Sequence, residues 1–123
     1  MSKGFLLVIS GPSATGKGTV CKKLLKKNKD LIFSVSATTR KPRIGEEDGV
    51  NYFFVDSSKF NTMVENEEFL EYAYVHNNHY GTPKNFVLDN VNQGKIVILE
   101  IDVEGALQVK QVYPEAVFIF LLP

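Results

Sequence analysis

The chain has 123 residues with 14 Lys+Arg against 14 Asp+Glu. A formal net charge of zero excludes a global pull toward nucleic acid or anionic lipid and makes any phosphate recognition local. The 44% hydrophobic and 23% charged content excludes intrinsic disorder and fibrous repeats, and at this length about two-thirds of the unfolded surface can be buried, enough for one hydrophobic core with a small satellite.

Met1-Ser2-Lys3-Gly4 leads into the apolar run Phe5 to Ile9, which breaks at Ser10-Gly11-Pro12 before reaching the length of a signal or membrane segment. With Cys21 as the single cysteine, no internal disulfide is possible. The expectation is a cytoplasmic protein with neither membrane nor nucleic-acid partners. Phe5 to Ser10 reads as a strand buried on both faces of a parallel sheet. A helix follows from Thr19 to Asn28, with Val20, Cys21, Leu24 and Leu25 on one face and Lys22, Lys23, Lys26 and Lys27 on the other. Cys21 therefore reads as core packing.

Between them lies Gly11-Pro12-Ser13-Ala14-Thr15-Gly16-Lys17-Gly18-Thr19. A Gly-rich turn at a helix N-terminus points successive backbone N–H groups into one concavity, the helix dipole adds positive charge, and Lys17 can reach β and γ oxygens. It reads as a phosphate cradle. Gly18 stands where the strict pattern has Ser or Thr, so the hydroxyl that would approach Mg²⁺ is displaced to Thr19.

The texture then changes. Phe33 to Thr39 and Tyr52 to Val55 are short strand candidates, Ser57 to Asn66 is helical, Phe69 to Val75 alternates like a half-exposed strand, and His76-Asn77-Asn78-His79 forms an exposed polar turn. A helix over Lys84 to Gln93 returns the chain to α/β units: strand Ile96 to Ile101, helix Val103 to Tyr113, and a last apolar run Val117 to Leu122. Residues 1–33 and 84–123 are expected to form the parallel core, flanked by helices, and 34–83 an inserted, mixed and mostly antiparallel subdomain.

Three groups stand out chemically. Ser36-Ala37-Thr38-Thr39-Arg40-Lys41-Pro42-Arg43 holds two arginines around a stiffening proline, suited to gripping phosphate but equally an exposed basic loop. Tyr52 and Tyr80 can donate hydroxyls to phosphate, and Glu71 can accept from a purine's N–H groups. Glu100 and Asp102 sit at the C-terminal end of a strand, where such sheets keep their ligand crevice, although Asp102 reads equally as the cap of the next helix.

The order GPSATGKGT, SVSATTRKPRIGEEDGVNYFFV, EFLEYAYVHNNHYGTP and ILEIDVEGA closely resembles the guanylate kinase family, ATP:GMP phosphotransferases, over nearly the whole chain. The resemblance implies that Ser36, Arg40, Arg43, Tyr52 and Tyr80 hold the GMP phosphate, and that Glu71 and Thr82, with Ser36, read guanine. It implies that Gly11 to Thr19 binds ATP with Lys17 on its phosphates, and that Glu100 lies near GMP and Mg²⁺, with Thr19 and Asp102 close to the metal. Lys17 and Arg40 are then the catalytic side chains, and 34–83 the GMP-binding subdomain of a P-loop core.

Two departures accompany the resemblance. Ala14 stands where the family usually has glycine. The chain stops within the run Phe118 to Pro123, before the family's arginine-bearing lid, adenine-contacting loop and closing helix. The expectation is intact GMP elements, impaired turnover by this chain alone, and self-association through an uncovered last strand. A non-catalytic guanylate-kinase-like binding module is the alternative, against which the retained Lys17 argues, and a P-loop kinase for another monophosphate is a third reading.

Overall fold

A computed structural model describes residues 4–11, 19, 22, 23, 26 and 30–122. The chain divides into two compact units, one running up to Ser34 and resuming at Val87, the other spanning Val35–Phe86.

The first unit is built on a parallel sheet. Its strands are β1 (Phe5–Ser10), β2 (Leu31–Phe33), then β7 (Ile96–Ile101) and β8 (Val117–Phe120), in the order β2-β7-β1-β8. The register runs from Phe5 opposite Ile96 to Ser10 opposite Ile101. Alternation along the paired central strands sends Leu7, Ile9 and Ile98 to one face, where they cluster with Leu31, and Leu6, Val8, Val97 and Leu99 to the other. All of these are buried, which is why Phe5 to Ile9 of β1 and Ile96 to Leu99 of β7 read as apolar runs rather than alternating ones. Helix α3 (Val103–Val112) packs on β1 and buries Ala106 and Val109.

The second unit holds a four-stranded sheet of β3 (Ala37–Thr38), β4 (Phe53–Phe54), β5 (Phe69–Val75) and β6 (Asn78–Pro83), ordered β4-β3-β6-β5. Only the β3/β4 pair is parallel, so the sheet is mixed and mostly antiparallel. Helix α1 (Ser57–Glu65) starts at Asp56, whose side chain accepts from the Lys59 N–H at 2.7 Å, and buries Phe60 against Phe69 and Ala37. Helix α2 (Lys84–Asn92) then carries the chain out of this unit.

Several expectations shift. Phe33 to Thr39 is not one strand: Leu31–Phe33 joins the parallel sheet and Ala37–Thr38 the mixed one, because the Ser34 N–H donates to the Ile98 carbonyl and the chain changes sheets beyond it. The polar turn contracts to His76 and Asn77, both at positive φ (50 and 67), the geometry of a two-residue hairpin. His79 is therefore not an exposed turn residue. It lies in β6, its ring 5.0 Å from Phe60 and 4.7 Å from Tyr74. The last apolar run is a strand only over Val117–Phe120, and it ends the described strand order instead of lying within it.

Thr19, Lys22, Lys23 and Lys26 are helical and exposed, as the expected lysine face requires. Pro12 to Gly18, Cys21 and the expected apolar face Val20, Leu24 and Leu25 lie outside the described residues. Among the described residues, no helix is long and apolar enough to cross a membrane.

Candidate functional site

The mixed sheet sorts its side chains by the period of two. Ala37 pairs with Gly81 and Phe53, and these point to the α1 side, where Phe60 and Phe69 fill the core. Thr38 pairs with Tyr80 and Phe54, so the opposite face carries Thr38, Phe54 and Tyr80, then Tyr52 and Thr82 two residues along each strand. Glu71 lies directly opposite Thr82 on that face. Ser36, whose carbonyl accepts the Phe53 N–H at 2.8 Å, begins the same ladder.

Arg40 follows β3 and projects into this face. Its backbone N–H donates to the Thr38 hydroxyl (3.1 Å), and that hydroxyl donates to the His79 carbonyl (2.9 Å), tying the start of the loop to β6. The guanidinium lies over the Tyr52 ring at 5.0 Å and near Phe54 at 5.9 Å, and the Tyr52 and Tyr80 rings are 6.0 Å apart.

Glu46 completes the arrangement, and sequence reading missed it. Arg40 Nη1 donates to Oε1 at 2.9 Å and Nη2 to Oε2 at 3.0 Å, while the Arg43 backbone N–H also donates to Oε1 at 2.8 Å. These bonds hold the Glu46 carboxyl below its usual range, Arg40 first and the Arg43 backbone second. They raise Arg40 further above an already high value, with hydrogen bonding to Tyr52 and Tyr80 adding to the effect. The signal available in sequence was an acidic residue three positions after Arg43 and six after Arg40, in a segment full of charge.

Thr82 is fully buried, and its hydroxyl oxygen has no hydrogen-bond partner among the described residues. Such an orphan costs about 1 to 3 kcal/mol unless something completes it. The Arg43 side chain, by contrast, is exposed. A cavity of about 470 Å³ elsewhere in this unit is lined by Phe53, Val55, Met63, Pro83 and Phe86 among others, and by none of the residues singled out from the sequence.

In the parallel sheet, β1 ends at buried Ser10 and buried Gly11, whose φ of 151 favours glycine. Glu100 is exposed near the C-terminal end of β7. Asp102 caps α3, accepting the Gly105 N–H at 2.8 Å, which supports its capping reading. Among the described residues no group of three or more His, Cys, Asp or Glu could hold a metal, so Glu100 and exposed Thr19 offer at most part of a shell.

The guanylate kinase family model matches residues 3–123. The chain belongs to the guanylate kinase family. It is 58% identical over 123 residues to the guanylate kinase of Clostridioides difficile (strain 630), covering 100% of this chain and 60% of that relative. Against the guanylate kinase of Caldanaerobacter subterraneus subsp. tengcongensis it is 59% identical over 121 residues, covering 98% of this chain and 59% of the relative. The crystal structure of guanylate kinase from Anaplasma phagocytophilum superposes with a TM-score of 0.74 at 40% identity, over 100% of this chain and 62% of that one. The chain thus spans about three-fifths of the length of the guanylate kinases it matches.

Proposed function

We propose that the protein transfers the γ-phosphoryl group of ATP to the phosphate of GMP, giving ADP and GDP. The observation that carries the reading is one sheet face bearing, together, a fixed arginine, two tyrosines, and a carboxylate opposite a buried, unpartnered hydroxyl. Residues 34–83 are the GMP-binding subdomain in this reading, with 1–33 and 84–123 the P-loop core. Its setting is the cytoplasm.

Guanine presents its N1–H and 2-amino group side by side, a donor pair that adenine lacks. Glu71 accepts that pair, and Thr82 with Ser36 completes base recognition. Arg40, Arg43, Tyr52 and Tyr80 take the GMP phosphate by charge-assisted bonds and offset its repulsion from the incoming donor phosphate. No general base is required, because the acceptor phosphate is anionic at neutral pH. Gly11 to Thr19 cradles the ATP phosphates, with Lys17 on the transferring end. Mg²⁺, when bound with ATP near Thr19 and Glu100, neutralises phosphate charge.

The test is calorimetric titration with GMP and guanosine, followed by a coupled assay with ATP, Mg²⁺ and GMP, AMP, CMP or UMP. Preference for GMP in both experiments supports the reading. GMP binding without turnover, in this chain and in one extended at its C-terminus, would favour the binding-module alternative, and turnover of another monophosphate would redirect the substrate.

A further inference from the structure

We infer that Glu46 is the positioning residue that selects which edge of Arg40 meets the substrate phosphate; the inference rests on the GMP reading above. Of the guanidinium's five N–H groups, Nη1 gives both of its own, one to the Lys41 carbonyl (3.1 Å) and one to Glu46 Oε1 (2.9 Å). Nη2 gives one to Glu46 Oε2 (3.0 Å). Glu46 and Lys41 leave the Nε–H and the outer Nη2–H, side by side on one edge of the plane, for the other partners of Arg40: the Tyr52 and Tyr80 hydroxyls, which also hydrogen-bond to it, and the phosphate. That edge matches two oxygens of a phosphate. The guanidinium carbon lies 5.0 Å from the Tyr52 ring centroid and 5.9 Å from that of Phe54, so the group also contacts the aromatic face of the sheet.

Glu46 is built to stay where it is, rather than to be displaced by an arriving phosphate. Its Oε1 also accepts the Arg43 N–H, and its own N–H donates to the Arg43 carbonyl at 3.0 Å, so the carboxylate closes a local turn. Moving it would leave the Arg43 amide and two Arg40 donors without this acceptor. The arrangement gives up net charge for direction, since a carboxylate beside Arg40 weakens its long-range pull on any anion.

That trade gives Glu46→Gln a sign that separates positioning from charge. If charge alone mattered, removing a carboxylate beside a phosphate site would tighten GMP. Positioning requires the opposite: one carboxylate oxygen becomes an amide that cannot accept, and the fork loses its register. In the 123-residue chain, GMP affinity of E46Q is expected to fall about tenfold, with guanosine affinity changed less than about twofold. The retained guanosine binding reports that the unit is folded. In the same samples without nucleotide, NMR of the Arg40 side chain is expected to show faster rotation about Nε–Cζ in E46Q than in wild type. E46Q that binds GMP as tightly as wild type or more tightly, or loses GMP and guanosine in equal measure, overturns the inference. Wild type that holds GMP no better than guanosine overturns the phosphate-grip reading itself, and Glu46's role with it.

Discussion

Glu71 and Thr82 face each other across β5 and β6, and their two chemistries make separable predictions. Glu71→Gln keeps size but turns one acceptor oxygen into a donor facing guanine's own donors. GMP affinity should drop and the preference over AMP narrow by about tenfold or more, measured by parallel titration. Thr82→Val removes a fully buried hydroxyl that has no hydrogen-bond partner among the described residues. The variant should unfold at higher denaturant, by about 1 kcal/mol, while binding GMP more weakly. Loss of stability together with unchanged GMP binding would remove Thr82 from base recognition. At Glu46 the carboxyl is held below its usual range, so its contribution to the loop is present near neutral pH. As the pH falls through that lowered value the carboxyl protonates and the contribution is lost. Acid titration followed by NMR of Arg40 should show this release in wild type and not in E46Q.

The elements carry their own test at the end of α1. Asn66 caps the helix, Glu67 takes φ 55, its N–H donates to the Val64 carbonyl, and the Glu68 N–H donates to the Met63 carbonyl. This paired closure usually places glycine at the left-handed position. Glu67→Gly should therefore raise unfolding free energy by about 0.5 to 1 kcal/mol without touching GMP binding. A denaturant midpoint that falls instead would show that Glu67 makes a compensating contact. The reverse holds at Gly81, where a Cβ would meet the Phe69 ring at 2.8 Å inside the α1 core, so Gly81→Ala should destabilise by about 1 to 3 kcal/mol.

Which elements were legible in the sequence follows from how many neighbours specify them. Phe5–Ser10 and Ile96–Ile101 are buried on both faces, so their composition alone marks them. Ser57–Glu65 falls within the expected helix Ser57 to Asn66, and the structure adds the local cap by Asp56. The boundary between Leu31 and Thr38 was not legible, since the hydrogen bond from Ser34 to Ile98 that assigns Leu31–Phe33 to the parallel sheet joins residues far apart in sequence. Arg40 and Arg43 were visible as charge, whereas Glu46 required the turn geometry that brings a residue six positions away onto the Arg40 fork.

At the scale of the whole molecule, the edge of the parallel sheet bears on association in solution. β8 pairs with β1 on one side and ends the described strand order on the other. Val117, Ile119 and Phe120 are 45%, 40% and 52% exposed, in a strand whose composition is that of a core. An edge strand that is apolar and carries no charge lacks the usual protections against pairing with another chain. Its contiguous apolar surface favours burial against a second copy. The 123-residue chain should therefore self-associate, its weight-average sedimentation coefficient rising with concentration. Ile119→Lys places a charge on that exposed edge and should suppress the rise, leaving GMP titration unchanged because Ile119 is none of the residues assigned to GMP. A wild-type coefficient independent of concentration would mean that this edge is protected by something its backbone and side chains do not display.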